Sequence, residues 1–114
     1  MKSITECIRD YILKEVYIDY NKLLKSEWSP EFEQLMRNRL IVGALRYGRL
    51  GNLNKPQYDR IASIITRANK YAIIGNSEYL VDIANLALCE FVEGNHPNKH
   101  FNSIDDGEHV KEKK

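Results

Sequence analysis

Nothing in this sequence is apolar over a length that could span a bilayer, and no segment sustains the alternation of apolar and polar residues that marks a half-buried strand. An excess of charge of one sign is also missing. The 17 basic residues are matched by 16 acidic ones, and a net charge of +1 gives no global field to draw in nucleic acid or an anionic membrane. Neither is an expected partner. Cysteine is scarce, and Cys7 and Cys89 stand in helical patterns close neither to each other nor to a histidine pair. They read as reduced packing thiols, which excludes a disulfide framework. The three histidines all fall after Gly94, away from the apolar helices that would preorganise a nucleophile and its base. His96 and His100 have the spacing of a helical zinc pair, but Pro97 breaks the helix between them and no third ligand is evident, so no metal is expected. The start of the chain lacks the apolar stretch and small-residue cleavage site of a leader, and the expected location is the cytoplasm.

What remains is helix. With 114 residues the chain has room for one core, and it is small enough that a homo-oligomer is expected to add stability. Ser3 and Glu6 have the capping-box spacing ahead of apolar positions Ile8, Tyr11, Ile12, Val16, Tyr20, Leu23 and Leu24, which predicts a first helix bent near Asp19. Ser29-Pro30 predicts the start of a second, with Glu31 and Glu33 in its first turn and Gly48 as its stop. The segment from Gly48 to Pro56 is dense in turn residues and predicts an ordered surface loop. A third helix is expected from Pro56 to about Ile73, on the spacing of Tyr58, Ile61, Ala62, Ile65, Ala68 and Ala72. Gly75-Asn76 then turn the chain into a fourth, ending near Gly94. The expected fold is all-α, a bundle of about four main helices over residues 1–94 with no sheet, followed by a polar, charged tail over 95–114. In that tail Phe101 is the candidate anchor.

The fourth helix is apolar on nearly every side yet carries Asp82 and Asn85, three apart, with Glu78 a turn earlier on the same stripe. A helix apolar all round is usually buried, and buried polar groups need partners. That face is either an internal network or a place where a polar ligand docks. On the second helix Arg39, Gly43 and Arg46 share one sector with Phe32 and Met36. Two guanidinium groups flanking a glycine form a positive notch suited to phosphate or carboxylate, unless Gly43 serves close helix packing and the arginines pair with Asp82 and Glu78. In the loop, Arg49, Asn52, Asn54 and Lys55 are placed to line a mouth, although the glycines lack the spacing of a P-loop. Tyr47 and Tyr58 flank it, each offering a stacking face and a hydroxyl.

Two resemblances sharpen this reading. The pattern Asn38-Arg39-Leu40, Gly43-Ala44-Leu45-Arg46-Tyr47-Gly48, Tyr58-Asp59-Arg60-Ile61, Gly75-Asn76-Ser77-Glu78 and Leu80-Val81-Asp82-Ile83-Ala84-Asn85 resembles a family of small bacteriophage and prophage accessory proteins, over roughly residues 30 to 101. The resemblance implies an anti-defence role in the host cell's cytoplasm, either capture of a nucleotide signal or binding of a host defence protein. A weaker one is to the all-α nucleoside triphosphate pyrophosphohydrolases of the MazG type. Leu80-Val81-Asp82-Ile83-Ala84-Asn85 matches the spacing of their Leu-x-Glu-x-x-Asp motif, with aspartate and asparagine in the carboxylate places. Asparagine brings no charge to a magnesium site, and the upstream glutamate-rich motif is absent, since Glu31 and Glu33 point to different faces.

The leading expectation is therefore a non-enzymatic protein without a cofactor, whose pocket between the second and fourth helices and the Gly48–Pro56 loop sequesters an anionic, nucleotide-like ligand. Its expected ligand-binding residues are Arg39, Gly43, Arg46, Tyr47, Arg49, Asn52, Tyr58, Glu78, Asp82 and Asn85. Arg39 and Arg46 would meet phosphate, a tyrosine would stack on a base, and Asp82 with Asn85 would take ribose or base-edge hydrogen bonds. The rivals are a protein-binding inhibitor of a host defence complex, such as an anti-CRISPR-like protein, and a MazG-like magnesium enzyme.

Overall fold

The computed structural model describes residues 1–14 and 19–113, and its chain is all-α apart from one short strand pair. In chain order the elements are β1 (Lys2–Ser3), α1 (Ile4–Lys14), α2 (Tyr20–Ser26), α3 (Pro30–Tyr47), α4 (Arg60–Ile74), α5 (Glu78–Glu93) and β2 (Ile104–Asp105). They form two compact units, one of residues 1–28 and 100–114 and the other of residues 29–99. The expected tail thus contributes to both, its first residues to the second unit and the rest to the first.

In the first unit the capping box closes as its spacing predicts. The Glu6 N–H donates to Ser3 Oγ at 3.1 Å, and the Ser3 N–H donates to the Glu6 carboxylate at 3.3 Å. The single long first helix is corrected to two. Asp19 is the N-cap of α2, its carboxylate accepting from the Asn21 N–H at 2.9 Å. Val16, counted on the apolar face of that helix, lies outside the described residues. The expectation of no sheet also needs correction, because β1 and β2 pair antiparallel with Lys2 opposite Asp105 and Ser3 opposite Ile104. A pair of two-residue strands brought together from opposite ends of the chain leaves no alternating pattern to read. Phe101, the candidate anchor, stays 78% exposed.

In the second unit α5 is central, and α3 and α4 each pack on it without packing on each other. Ser29 caps α3, its Oγ accepting from the Phe32 N–H at 3.1 Å, and Gly48 ends the helix at φ 97°, in the left-handed region that favours glycine. Gly75 does the same for α4 at φ 78°. The start of α4 is at Arg60 rather than Pro56, because Asp59 supplies the cap and accepts from the Ala62 N–H at 3.0 Å. Burial is sparse: Val81 and Asn85 are the buried residues of the chain among those described, so the apolar α5 is half-covered rather than enclosed. No described helix is long and apolar enough to cross a membrane.

The observed cap fixes an expected outcome. Asp59→Ala should lower the stability of the fold by about 1 kcal/mol, the usual cost of removing an N-cap acceptor, while Gln57→Ala should leave it unchanged. Urea midpoints of the two variants measure the difference, and equal losses would place the helix start nearer Pro56.

Candidate functional site: a cationic cleft against the acidic edge of α5

The second unit is zipped together by charge. Near the start of α5, Arg39 Nε lies 2.9 Å from Glu78 Oε1 and 3.6 Å from Asp82 Oδ1, and Arg67 Nε approaches Asp82 Oδ2 at 3.6 Å. Near its end, Lys55 Nζ lies 3.0 Å from Glu93 Oε1, and Arg60 reaches Glu90 at 3.3 Å and Glu93 at 2.5 Å. The Gly51 N–H adds a bond to Glu93 Oε2 at 3.1 Å, tying the loop to the helix. Lys55 and Arg60 are about nine-tenths covered, so their attraction to Glu93 is less screened than that of the half-exposed Arg39 and Glu78. Burial alone would raise the Glu93 carboxyl, but the Gly51 N–H and the Lys55 and Arg60 cations outweigh it and hold the group below its ordinary value of 4.5.

Between these two clusters α3, α4, α5 and the loop enclose a cleft of about 510 Å³, a volume within the range of small-molecule sites. Of the ten expected ligand-binding residues, Arg39, Gly43, Arg46, Tyr47, Arg49, Tyr58, Asp82 and Asn85 line it. Asn52 and Glu78 do not. Asn52 turns its Oδ1 to the Asn54 N–H at 3.1 Å, and Glu78 is taken up by Arg39 outside the lining. Among the lining residues that sequence reasoning left out are Arg60, Ser63 and Arg67 of α4 and Leu86, Cys89 and Glu93 of α5. Arg60 and Arg67 are seven apart, two helical turns, and that spacing was the available signal that both point to one side.

Several roles change on inspection. Asp82 meets Arg39 as anticipated, but its second partner is Arg67 and not Arg46. Among the described residues Arg46 and Arg49 have no acidic partner within ion-pair distance. Close helix packing does not explain Gly43, since a Cβ built there would meet nothing within 4 Å. Tyr47 and Tyr58 pack edge to face with centroids 5.8 Å apart, and the Arg60 guanidinium sits 5.9 Å from the Tyr58 ring centre, so Tyr47 keeps the freer face. The Asn85 amide donates to the Met36 carbonyl at 2.9 Å, while its buried Oδ1 has no donor among the described residues. Burial pushes the Cys89 thiol above its ordinary value, and a protonated thiol is a poor nucleophile.

Compared with known families, curated proteins and solved structures, the chain matches none of them.

Two outcomes follow from that geometry. The stabilisation contributed by Glu93 is whole above pH 4.5, where the carboxyl ionises even in the unfolded chain, and it is lost as pH falls through the lower value held in the fold. Wild type should therefore lose stability on acidification below that point. Glu93→Gln, weakened at neutral pH by about 3 kcal/mol through its stranded cations, should show a shallower acid decline in the same urea titrations. Gly43→Ala should stabilise the free protein by about 0.5 to 1 kcal/mol, because the space is open and alanine favours helix. A loss of stability there would show instead that the glycine serves packing.

Proposed function

We propose that this chain is a non-enzymatic accessory protein that binds and sequesters an anionic, nucleotide-like ligand in the cleft beside α5. The observation that carries the reading is a cationic surplus. Arg39, Arg46, Arg49, Lys55, Arg60 and Arg67 line the cleft. Four of these are engaged by Glu78, Asp82, Glu90 and Glu93, which leaves Arg46 and Arg49 with unspent charge at the end of α3. Planar guanidinium groups take phosphate oxygens in pairs, which suits these two to the anionic end of a ligand. Tyr47 offers its ring to a base, and the Asn85 Oδ1 accepts one hydrogen bond from a sugar hydroxyl or base N–H. A donor there satisfies a buried carbonyl that otherwise costs about 1 to 3 kcal/mol.

The resemblance to phage accessory proteins supplies the biological reading, in which the ligand is a host-defence signal. A magnesium-dependent pyrophosphohydrolase fits less well. The carboxylates of the cleft, Asp82 and Glu93, are already bound by arginine and lysine, and a metal ion would have to displace those cations.

The test is mass spectrometry of small molecules carried through native purification, joined to thermal shifts with nucleoside mono-, di- and triphosphates and cyclic nucleotides. At least one compound should raise the melting temperature, and Arg46→Ala should abolish that rise while leaving the ligand-free melting temperature near wild type. Stabilisation that survives both Arg46→Ala and Arg49→Ala, or no stabilisation by any compound, would overturn the proposal. The second of those results would favour the protein-binding inhibitor.

A further inference from the structure

Helix α4 is built inside out. Its charged residues Arg60 and Arg67 turn toward the acidic edge of α5, while Ile61, Ile65, Ala68 and Ala72 lie exposed. These four residues recur at steps of four, three and four, the spacing of a coiled-coil seam. Helix α5 repeats the pattern with Leu80, Ala84, Ala87 and Phe91, of which Phe91 is 67% exposed. No member of either stripe lines the cleft. At about 100° per residue, the α5 stripe centres roughly half a turn from Asp82, Cys89 and Glu93, so it occupies the face away from the cleft.

An apolar face turned outward, away from an inward face that carries Arg60 and Arg67 beside the half-buried Ile64, runs against the ordinary driving force of folding. Among the described residues the second unit buries Val81 and Asn85 alone, so this face must be covered for the unit to have a core of normal size. We infer that a second copy of the chain covers it, related by a two-fold axis, with the α4–α5 hairpins of the two copies forming a four-helix bundle.

The order of large and small residues selects that occupant. Read antiparallel against itself, Ile61-Ile65-Ala68-Ala72 sets each isoleucine against an alanine. Leu80-Ala84-Ala87-Phe91 brings its alanines together at the centre and sets Leu80 against Phe91 at both ends. Such self-complementarity is what an isologous interface requires of one surface. Both stripes also share one axis. Their midpoints fall between Ile65 and Ala68 and between Ala84 and Ala87, and the Arg67–Asp82 ion pair holds these levels within about one turn of each other. Two helices of 15 and 16 residues present about 23 Å by 20 Å, roughly 900 Å² flat over both copies before corrugation, near the lower bound for a specific interface. The arrangement leaves the cleft open and does not depend on any ligand reading.

Sedimentation equilibrium of the full chain should return twice the 13.3 kDa chain mass. Ala87→Lys puts an ammonium where the two copies approach most closely, and association should weaken by roughly a hundredfold or more. Where that variant unfolds, a gentler pair decides. Chains carrying Ala84→Cys and Ala87→Cys, mixed and oxidised, should yield a disulfide linking position 84 of one copy to position 87 of the other by peptide mapping. Links of 84 to 84 and 87 to 87 without the mixed product would overturn the antiparallel arrangement. A folded wild-type monomer at every concentration would overturn the inference, and its association with anionic phospholipid vesicles would assign the face to a membrane instead.

Discussion

The position of everything in the second unit depends on the carboxylates of α5. Without Glu78, Asp82, Glu90 and Glu93 there is little to hold α3, α4 and the connecting loop against the central helix, since apolar burial within that unit is confined to Val81 and partly covered neighbours. Ion pairs are a poor substitute for a core in energy, because desolvation offsets much of their attraction. They are a good substitute in direction. Each guanidinium accepts few geometries, so the acidic edge fixes which way α4 faces, and that orientation sends its isoleucines outward.

The same choice builds the cleft. Helices joined by apolar packing close up to about 8 to 10 Å between axes. Here α3 and α4 meet α5 along separate sides and leave between them a gap lined by long charged side chains. Cations paired with carboxylates and, among the described residues, the unpaired Arg46 and Arg49 therefore line one cleft. An anion entering near Asp82 competes with a carboxylate already in place, whereas one entering near Arg46 and Arg49 does not. The negative end of the α3 dipole, which closes at Tyr47, works against an anion there, so both arginines are needed to reverse the local potential.

How much of this was legible depended on the range of the interaction. Signals that act within a turn or two were read correctly: the Ser3–Glu6 box, the Ser29-Pro30 start, and the glycines at 48 and 75. The face shared by Arg39, Gly43 and Arg46 follows from helical spacing, and the Arg39–Asp82 contact from the need of a carboxylate on an apolar helix for a cation. The misreadings came from long-range pairing. Arg60 finds Glu93 across 33 positions, and β1 finds β2 across the whole chain, and no local pattern records either. The start of α4 lies four residues beyond Pro56 because proline at a first helical position and an aspartate cap are competing signals, and the cap prevails.

The inverted α4 shows why periodicity gave the helix but not its orientation. A 3.6-residue repeat says that one face is apolar; it does not say what that face touches. The usual assumption, that the apolar face meets the rest of the same chain, fails when the polar face has stronger claims on a neighbour. Arg60 and Arg67 have such claims on Glu90, Glu93 and Asp82. An amphipathic helix then satisfies both faces only by having two neighbours, one charged and internal, the other apolar and external. The ion-pair rail and the uncovered stripe are one design, since the charges that orient α4 toward α5 also turn its apolar face outward.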